Sequence, residues 1–361
     1  GDIDIYNVIV DDYSNETKEY IRSLNLPFIP IFLDELDINK VRNLKWFLYQ
    51  YDAQNSNTAA KPFAFKLLFE RGYQQVLYFD CDIEVYDSLD SLYEKLDFNS
   101  FVLTPHFTEP LPDYDGASPV DNIVNRCGQF NLGFIGISSK KSGCKFVDYW
   151  CQKTKNKFGV DLVNGIFTDQ VWCNLIPSFY SDYYIERSFG YNIAYWNLSH
   201  RDCSISYEND KPYINGQPVV FVHYSGVVIE DKTVLSKHQN VLEVEMLNFQ
   251  KLQNTYIDNI NREIECYSEL IQPTNNFDFY EDGTEIKDYH REHILNLTDE
   301  EFRSVSEQYE NPFDGKVKEY FETIYHRNLS MEDLYLLKKR PFLAYNFVSK
   351  RKLDKWKSKN I

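Results

Sequence analysis

The stretch QQVLYFDCDIEVYDSL, residues 74–89, sets an apolar run directly against a row of acids. Residues 76–79 read as a buried strand, and Asp80, Asp82 and Glu84 follow at every second position. A strand sends alternate side chains to one face, so the three carboxylates are expected to converge. Unpaired carboxylates held together repel one another and cost free energy to desolvate. A cation is therefore expected among them.

Working outward, the first half of the chain alternates strand-like and helix-like segments. Residues 6–10 read as a short strand, 15–24 as a helix and 27–33 as a second strand. Helical patterns follow over 40–51 and 59–71, the latter with Pro62 near its first turn, where a missing N–H is tolerated. Gly72 closes that helix before the acid-tipped strand. This is the rhythm of an α/β fold, a mainly parallel sheet with helices on both faces. Residues 101–104 and 130–137 look like strands, 142–158 like a helix, and 219–222 like a strand closing on His223. Beyond about residue 240 the pattern is helical and polar. The expected organisation is a catalytic domain over 1–240 and a helical C-terminal extension over 241–361.

Length and composition narrow the function classes. A chain of 361 residues with 43% hydrophobic and 16% aromatic residues can bury a large core. No run of apolar residues is long enough to span a bilayer, and the acidic opening is unlike a signal peptide. The seven cysteines are scattered without a CxxC pair, which speaks against a zinc site or disulfide scaffold and for a reducing, cytoplasmic setting. A net charge of −17 argues against nucleic acid as a partner. Residues 338–361 differ: nine Lys/Arg and one acid give +8, leaving −25 on the other 337 residues. Aromatics interleave those basic residues, as in a segment resting on an anionic membrane, here the inner face of the plasma membrane.

Asp80-Cys81-Asp82 stands at the carboxyl end of a strand, where open α/β sheets place their ligands. Two carboxylates at i, i+2 suit Mg²⁺ or Mn²⁺ gripping a diphosphate; the bland alternative is a solvated turn. His223 closes a second apolar strand, and an imidazole beside two carboxylates favours Mn²⁺ over Ca²⁺, though a lone histidine is commonly structural. Asn131, Asp169 and Gln170 sit in or beside apolar runs where they could hydrogen-bond sugar hydroxyls, and Asp169 serves equally as a helix cap. Lys61 at a helix start could meet a phosphate or simply face solvent. Tyr191, Tyr195 and Trp196 could stack on a sugar ring or fill the core.

In this order the segments resemble a known family. TAAKPFAFKLLFERGYQQVLYFDCDIEVYDSL (58–89), FNLGFIGIS (130–138), TDQVWCN (168–174) and HYSG (223–226) are similar to stretches of GT-A-fold glycosyltransferases. The likeness is to the family 8 relatives, glycogenin and lipopolysaccharide galactosyltransferases, and closer still to bacterial glycosyltransferases of surface-polysaccharide gene clusters. The resemblance implies a Rossmann-like, nucleotide-diphospho-sugar transferase fold and a UDP-sugar donor. It implies a saccharide or lipid-linked saccharide acceptor and Mn²⁺ (or Mg²⁺) held by Asp80, Asp82 and His223. By the same resemblance Lys61, Asp80, Asn131, Asp169 and Gln170 lie near the donor, with Asp169 and Gln170 in catalytic roles.

Two other classes compete. A haloacid-dehalogenase-type phosphatase also builds on Asp-x-Asp after an apolar strand, but it wants Thr or Val where this chain has Glu84. A non-catalytic carbohydrate-binding module would need neither metal nor nucleotide.

Overall fold

The computed structural model describes all residues except 1–2, 12, 112–120, 163, 199–202, 240–247, 268–276 and 329–361. The basic segment 338–361, expected to meet a membrane, lies outside the described residues. Among the described residues no helix is long and apolar enough to cross a membrane, and no disulfide joins the cysteines.

Contacts divide the chain into two units, each built from separated segments. The first comprises Gly1–Ala60, Lys153–Ile166 and Asn275–Ile361. In it β1 (Tyr6–Ile9) and β2 (Ile29–Phe32) pair in parallel, Tyr6 opposite Ile29, joined by helix α1 (Asn15–Ser23). Ser14 caps α1 by accepting from Thr17 N, satisfying one of the open first-turn donors. The pattern expected as one helix over 40–51 breaks in two. A 3₁₀ turn covers Asp37–Lys40, and α2 (Leu44–Gln50) restarts where the Asn43 carboxamide caps Lys45 and Trp46. Trp46 and Tyr49 of α2 enter a core with Ile294, Val317 and Phe321. Tyr49 Oη meets Tyr280 Oη at 2.8 Å, and Tyr280 Oη meets His290 Nδ1 at 2.7 Å, so this core buries a linked chain of polar groups.

The second unit comprises Lys61–Gln152 and Phe167–Thr274. Its main sheet has four strands: β3 (Gln75–Phe79), then β6 (Phe130–Ser138), β5 (Phe101–Pro105) and the strand Tyr183–Ile185. β3 and β5 each pair antiparallel with β6, and β5 pairs parallel with 183–185. The expected mainly parallel pairing is thus corrected: two of these three ladders are antiparallel. β3 and β5 do run the same way, with helix α4 (Asp90–Phe98) between them in sequence, but the later strand β6 inserts between them in space. Chain order reveals the crossover and not the intruding neighbour.

Helices cover both faces of this sheet, as strand alternation requires. Phe101 packs edge-on against Phe146 of the helix Lys141–Lys153, while its neighbour Val102 joins Leu92 and Leu96 of α4. Every residue of β6 is buried, which makes it the centre of the unit. A second, two-stranded sheet pairs β4 (Ile83–Val85) antiparallel with the strand Phe221–His223, His223 opposite Ile83. The helix preceding β3 is α3 (Ala53–Glu70), longer than expected, so Pro62 falls in its interior and forfeits one helical hydrogen bond.

Candidate functional site

β3 stops at Phe79, residues 80–82 turn, and β4 begins at Ile83. The Asp-Cys-Asp turn therefore bridges the two sheets. Asp80 N–H donates to Gly133 O at 2.7 Å, and Tyr224 N–H donates to Asp82 O at 2.8 Å, which fixes both ends. Because the turn resets strand alternation, Glu84 does not join the other acids as expected. Its oxygens accept from Tyr86 Oη at 2.6 Å and Asn259 Nδ2 at 3.1 Å. The converging set is instead Asp80, Asp82 and His223, each offering a ligand atom within 4.8 Å of the others.

Three successive residues of β6 hold this set in place. Asn131 Oδ1 lies 3.1 Å from His223 Nδ1. Leu132 O accepts from Lys61 Nζ at 2.9 Å, and Gly133 O takes the Asp80 amide. Gly133 is sterically required: a Cβ there would stand 2.3 Å from His223 Cε1 and 2.5 Å from Nδ1. On its other side the His223 ring meets Trp196 edge-on at 5.1 Å.

Lys61, 5% exposed, is the buried cation of the site. Besides donating to Leu132 O, its ammonium forms ion pairs with Asp80 Oδ1 at 3.0 Å and Asp169 Oδ2 at 2.8 Å. Burial alone would discharge such a lysine, but Asp169, Tyr78 and Asp80 outweigh it and hold its pKa well above the ordinary range. Asp80 feels burial pushing its pKa up; Lys61, the Tyr78 hydroxyl and His223 reverse this and keep it below the ordinary carboxylate value. Tyr78 Oη and Lys61 both engage Oδ1 of Asp80, at 2.6 and 3.0 Å, which leaves the other oxygen to an incoming cation. Asp169 is 2% exposed, and burial raises its pKa despite Lys61. Its side chain makes no cap bond to the four-residue helix Gln170–Cys173, the alternative reading of that residue.

Gln170 and Asn131 are both hydrogen-bonded within the protein. Gln170 Oε1 accepts from Leu132 N at 3.2 Å and Asn131 Nδ2 at 3.4 Å. Gln170 Nε2 donates to Cys127 O at 3.2 Å. Of the aromatics singled out, Trp196 is buried and Tyr191 bonds Ser91 Oγ through its hydroxyl at 2.6 Å. Tyr195 packs on Trp196 at 5.0 Å.

Sequence reasoning missed several neighbours. Tyr78 lies two residues before Asp80, on the same strand face, which alternation could have flagged. His106 and Asn192 join Asn131 through Nε2 at 3.4 Å and Nδ2 at 3.1 Å. His106 follows the apolar run of β5 much as His223 follows its own. Asn192 adopts φ +51°, a left-handed conformation that asparagine tolerates better than most residues. Tyr256, whose phenol is pushed up to about 12 by burial, Asp82, Cys81 and Glu84, stacks on Tyr224 at 3.9 Å.

The donor set can be tested against a divalent cation by its hydrogens. Gly133 N–H and Asn192 Nδ2 donate to the end of Asn131 that faces His223 and mark it as the amide oxygen, which only accepts, so a hydrogen bond from His223 to it places the imidazole proton on Nδ1. In that tautomer Nε2 would turn a lone pair toward Asp82 Oδ1, 3.0 Å away. Two lone pairs at that distance want a positive charge between them. One nitrogen and two carboxylates are a donor set that suits Mn²⁺ and accepts Mg²⁺.

No family model matches the chain. The uncharacterized protein YfnD of Bacillus subtilis (strain 168) is 25% identical over 131 residues, which cover 36% of this chain and 42% of that protein. The match thus spans under half of the relative's own length. Among solved structures, a glycosyltransferase involved in the glycosylation of the major capsid of PBCV-1 aligns at a TM-score of 0.32 and 12% identity. That alignment covers 62% of this chain and 94% of the other, a likeness too slight to carry fold or activity across.

Proposed function

We propose that the chain is a metal-dependent glycosyltransferase of the GT-A type. It moves a sugar from a nucleotide-diphosphate donor, a UDP-sugar, to a saccharide or lipid-linked saccharide acceptor in bacterial surface-polysaccharide synthesis. The observation that carries this reading is the Asp80–Asp82–His223 set at the turn between two sheets, with His223 Nε2 3.0 Å from an Asp82 carboxylate oxygen. A divalent ion bound there would act as a Lewis acid on the departing diphosphate.

The protein's own residues prepare that chemistry. Lys61 and Tyr78 hold Asp80 ionised and aimed, which is the form a cation needs. The charge of Lys61 is committed to Asp80 and Asp169, so its support for the donor runs through Asp80. Asn131 and Gln170 border the same site, and Gln170, half-buried, is the one of the pair with surface open to a sugar. In this reading residues 1–240 carry catalysis and 241–361 form the extension. Its basic end, 338–361, rests on the anionic inner face of the plasma membrane.

The test is a thermal-shift screen of nucleotide sugars with and without Mn²⁺, followed by assay of the released product. Stabilisation by a nucleotide sugar only when Mn²⁺ is present, with release of a nucleoside diphosphate, is expected. Release of inorganic phosphate from simple phosphoesters would instead identify a phosphatase, and sugar binding without metal or nucleotide would identify a binding module.

A further inference from the structure

The two side-chain amides beside the site are oriented by the backbone, and this has a chemical consequence for His223. Gln170 Oε1 accepts from Leu132 N–H while its Nε2 donates to Cys127 O, so the amide cannot be turned round without losing both bonds. That oxygen faces Asn131 Nδ2 at 3.4 Å, and His106 Nε2 faces the same amide nitrogen at 3.4 Å. The opposite end of Asn131 is pinned as well, because Oδ1 accepts from Gly133 N–H at 3.1 Å and Asn192 Nδ2 at 3.1 Å. Asn131, 7% exposed, therefore presents a fixed acceptor to His223 Nδ1.

We propose that Asn131 and Gln170 are positioning residues that act through His223, locking its ring in the Nδ1–H tautomer so that Nε2 stays bare for a divalent cation. The proposal rests on the reading of Asp80, Asp82 and His223 as a cation site. An imidazole 3.0 Å from a carboxylate would otherwise place its proton on Nε2 and donate it to Asp82. That bond would seal the ligand atom and its acceptor together. The Asn131 oxygen prevents this by offering Nδ1–H a partner, and the missing side chain at Gly133 lets the ring lie close enough to reach it. A hydrogen bond to the second ring nitrogen is the usual means of selecting which imidazole nitrogen is free. Here it comes from an amide that two other elements hold in register.

The relay is read by nitrogen NMR of protein labelled with ¹⁵N-histidine, metal-free and at mildly alkaline pH, with His223 assigned by its substitution. The expected wild-type signature is a protonated Nδ1 and a bare Nε2. Asn131→Leu should move the proton to Nε2 and weaken Mn²⁺ binding by calorimetry about 10–100-fold. Asn131→Asp, which keeps an acceptor at Nδ1, should restore the Nδ1–H form and most of the affinity. Gln170→Met should shift both readouts the same way but less, since Gly133 and Asn192 still orient Asn131. A wild-type His223 protonated on Nε2 overturns the proposal without any variant, as does an unchanged tautomer in folded Asn131→Leu protein. Wild-type protein with the Nδ1–H signature that nonetheless binds no Mn²⁺ would sink the cation-site reading while upholding the relay.

Discussion

Lys61 Nζ lies 2.8 Å from Asp169 Oδ2, and the two side chains are only 4% and 3% exposed. The sequence suggested Asp169 as a group acting on the sugar or acceptor; its seat makes it first the buried counter-ion of Lys61. Removing one partner of such a pair leaves the other charge poorly compensated. Asp169→Asn should therefore lower unfolding free energy by about 1.5–3 kcal/mol, moderated because Lys61 retains Asp80 and Leu132 O. Urea unfolding measures this. Unchanged stability with kcat reduced about 10²–10⁴-fold would point to the acid–base role instead.

The Asp-Cys-Asp turn gives the second expectation. Asp82→Asn should leave the metal-free fold intact or slightly more stable, because in the proposed Nδ1–H tautomer the new amide can donate to His223 Nε2 and a repelling charge is gone. Thermal stabilisation by Mn²⁺ should vanish in this variant and in Asp80→Asn, since mass-action stabilisation needs a bound ligand. Sugar transfer should be lost with it. Transfer that persists in the presence of EDTA, or with Asp82→Asn, would rule out the metal.

Parts of this site were legible in the sequence for a definite reason. Asp80 and His223 both close apolar strands, and a polar residue at such a place is exposed to a cleft rather than to bulk solvent. Lys61 and Asp169 were placed near the donor, but their pairing was invisible because 108 positions separate them and no local pattern encodes it. Glu84 misled because alternation was carried through residues 80–82, where the chain turns and the count restarts. The mixed sheet was hidden for a similar reason: β6 is as apolar as a parallel central strand, and composition does not record direction. His106 carried the same signal as His223, a histidine ending an apolar strand, and could have been found by it.

Gly133 offers a test that touches no ligand. Its missing Cβ leaves the room in which the His223 ring and Asn131 Oδ1 meet. Gly133→Ala should force the ring aside, with an overpacking cost of about 1–3 kcal/mol in thermal or urea unfolding. Mn²⁺ affinity should fall together with stability, because the displaced ring loses both its Asn131 partner and its approach to Asp82. Full Mn²⁺ affinity in a normally stable Gly133→Ala protein would show that the close seat of the ring is unimportant.

The last expectation concerns acid. Burial lowers the pKa of His106 from 6.5 to about 4, opposed only in part by nearby backbone, with His223 lowering it further. The folded protein thus keeps this ring neutral while the unfolded chain binds a proton near 6.5, so between those values the unfolded state holds more protons. Stability must then rise with pH across that window: the contribution is complete above about 6.5 and is lost as pH falls toward about 4. At its largest the effect is on the order of 3 kcal/mol, from the free energy of a pKa difference of this size. His290, in the other unit, is lowered to about 4 by burial, Lys287 and Lys318, and adds to the same trend. His106→Gln removes one titrating group but keeps a polar side chain beside Asn131. The variant should therefore show a shallower fall in urea-unfolding free energy between pH 6.5 and 4 than the wild type. Identical pH slopes in the two proteins would mean that His106 takes up its proton in the folded protein as readily as in the unfolded chain, at the expense of its contact with Asn131 Nδ2.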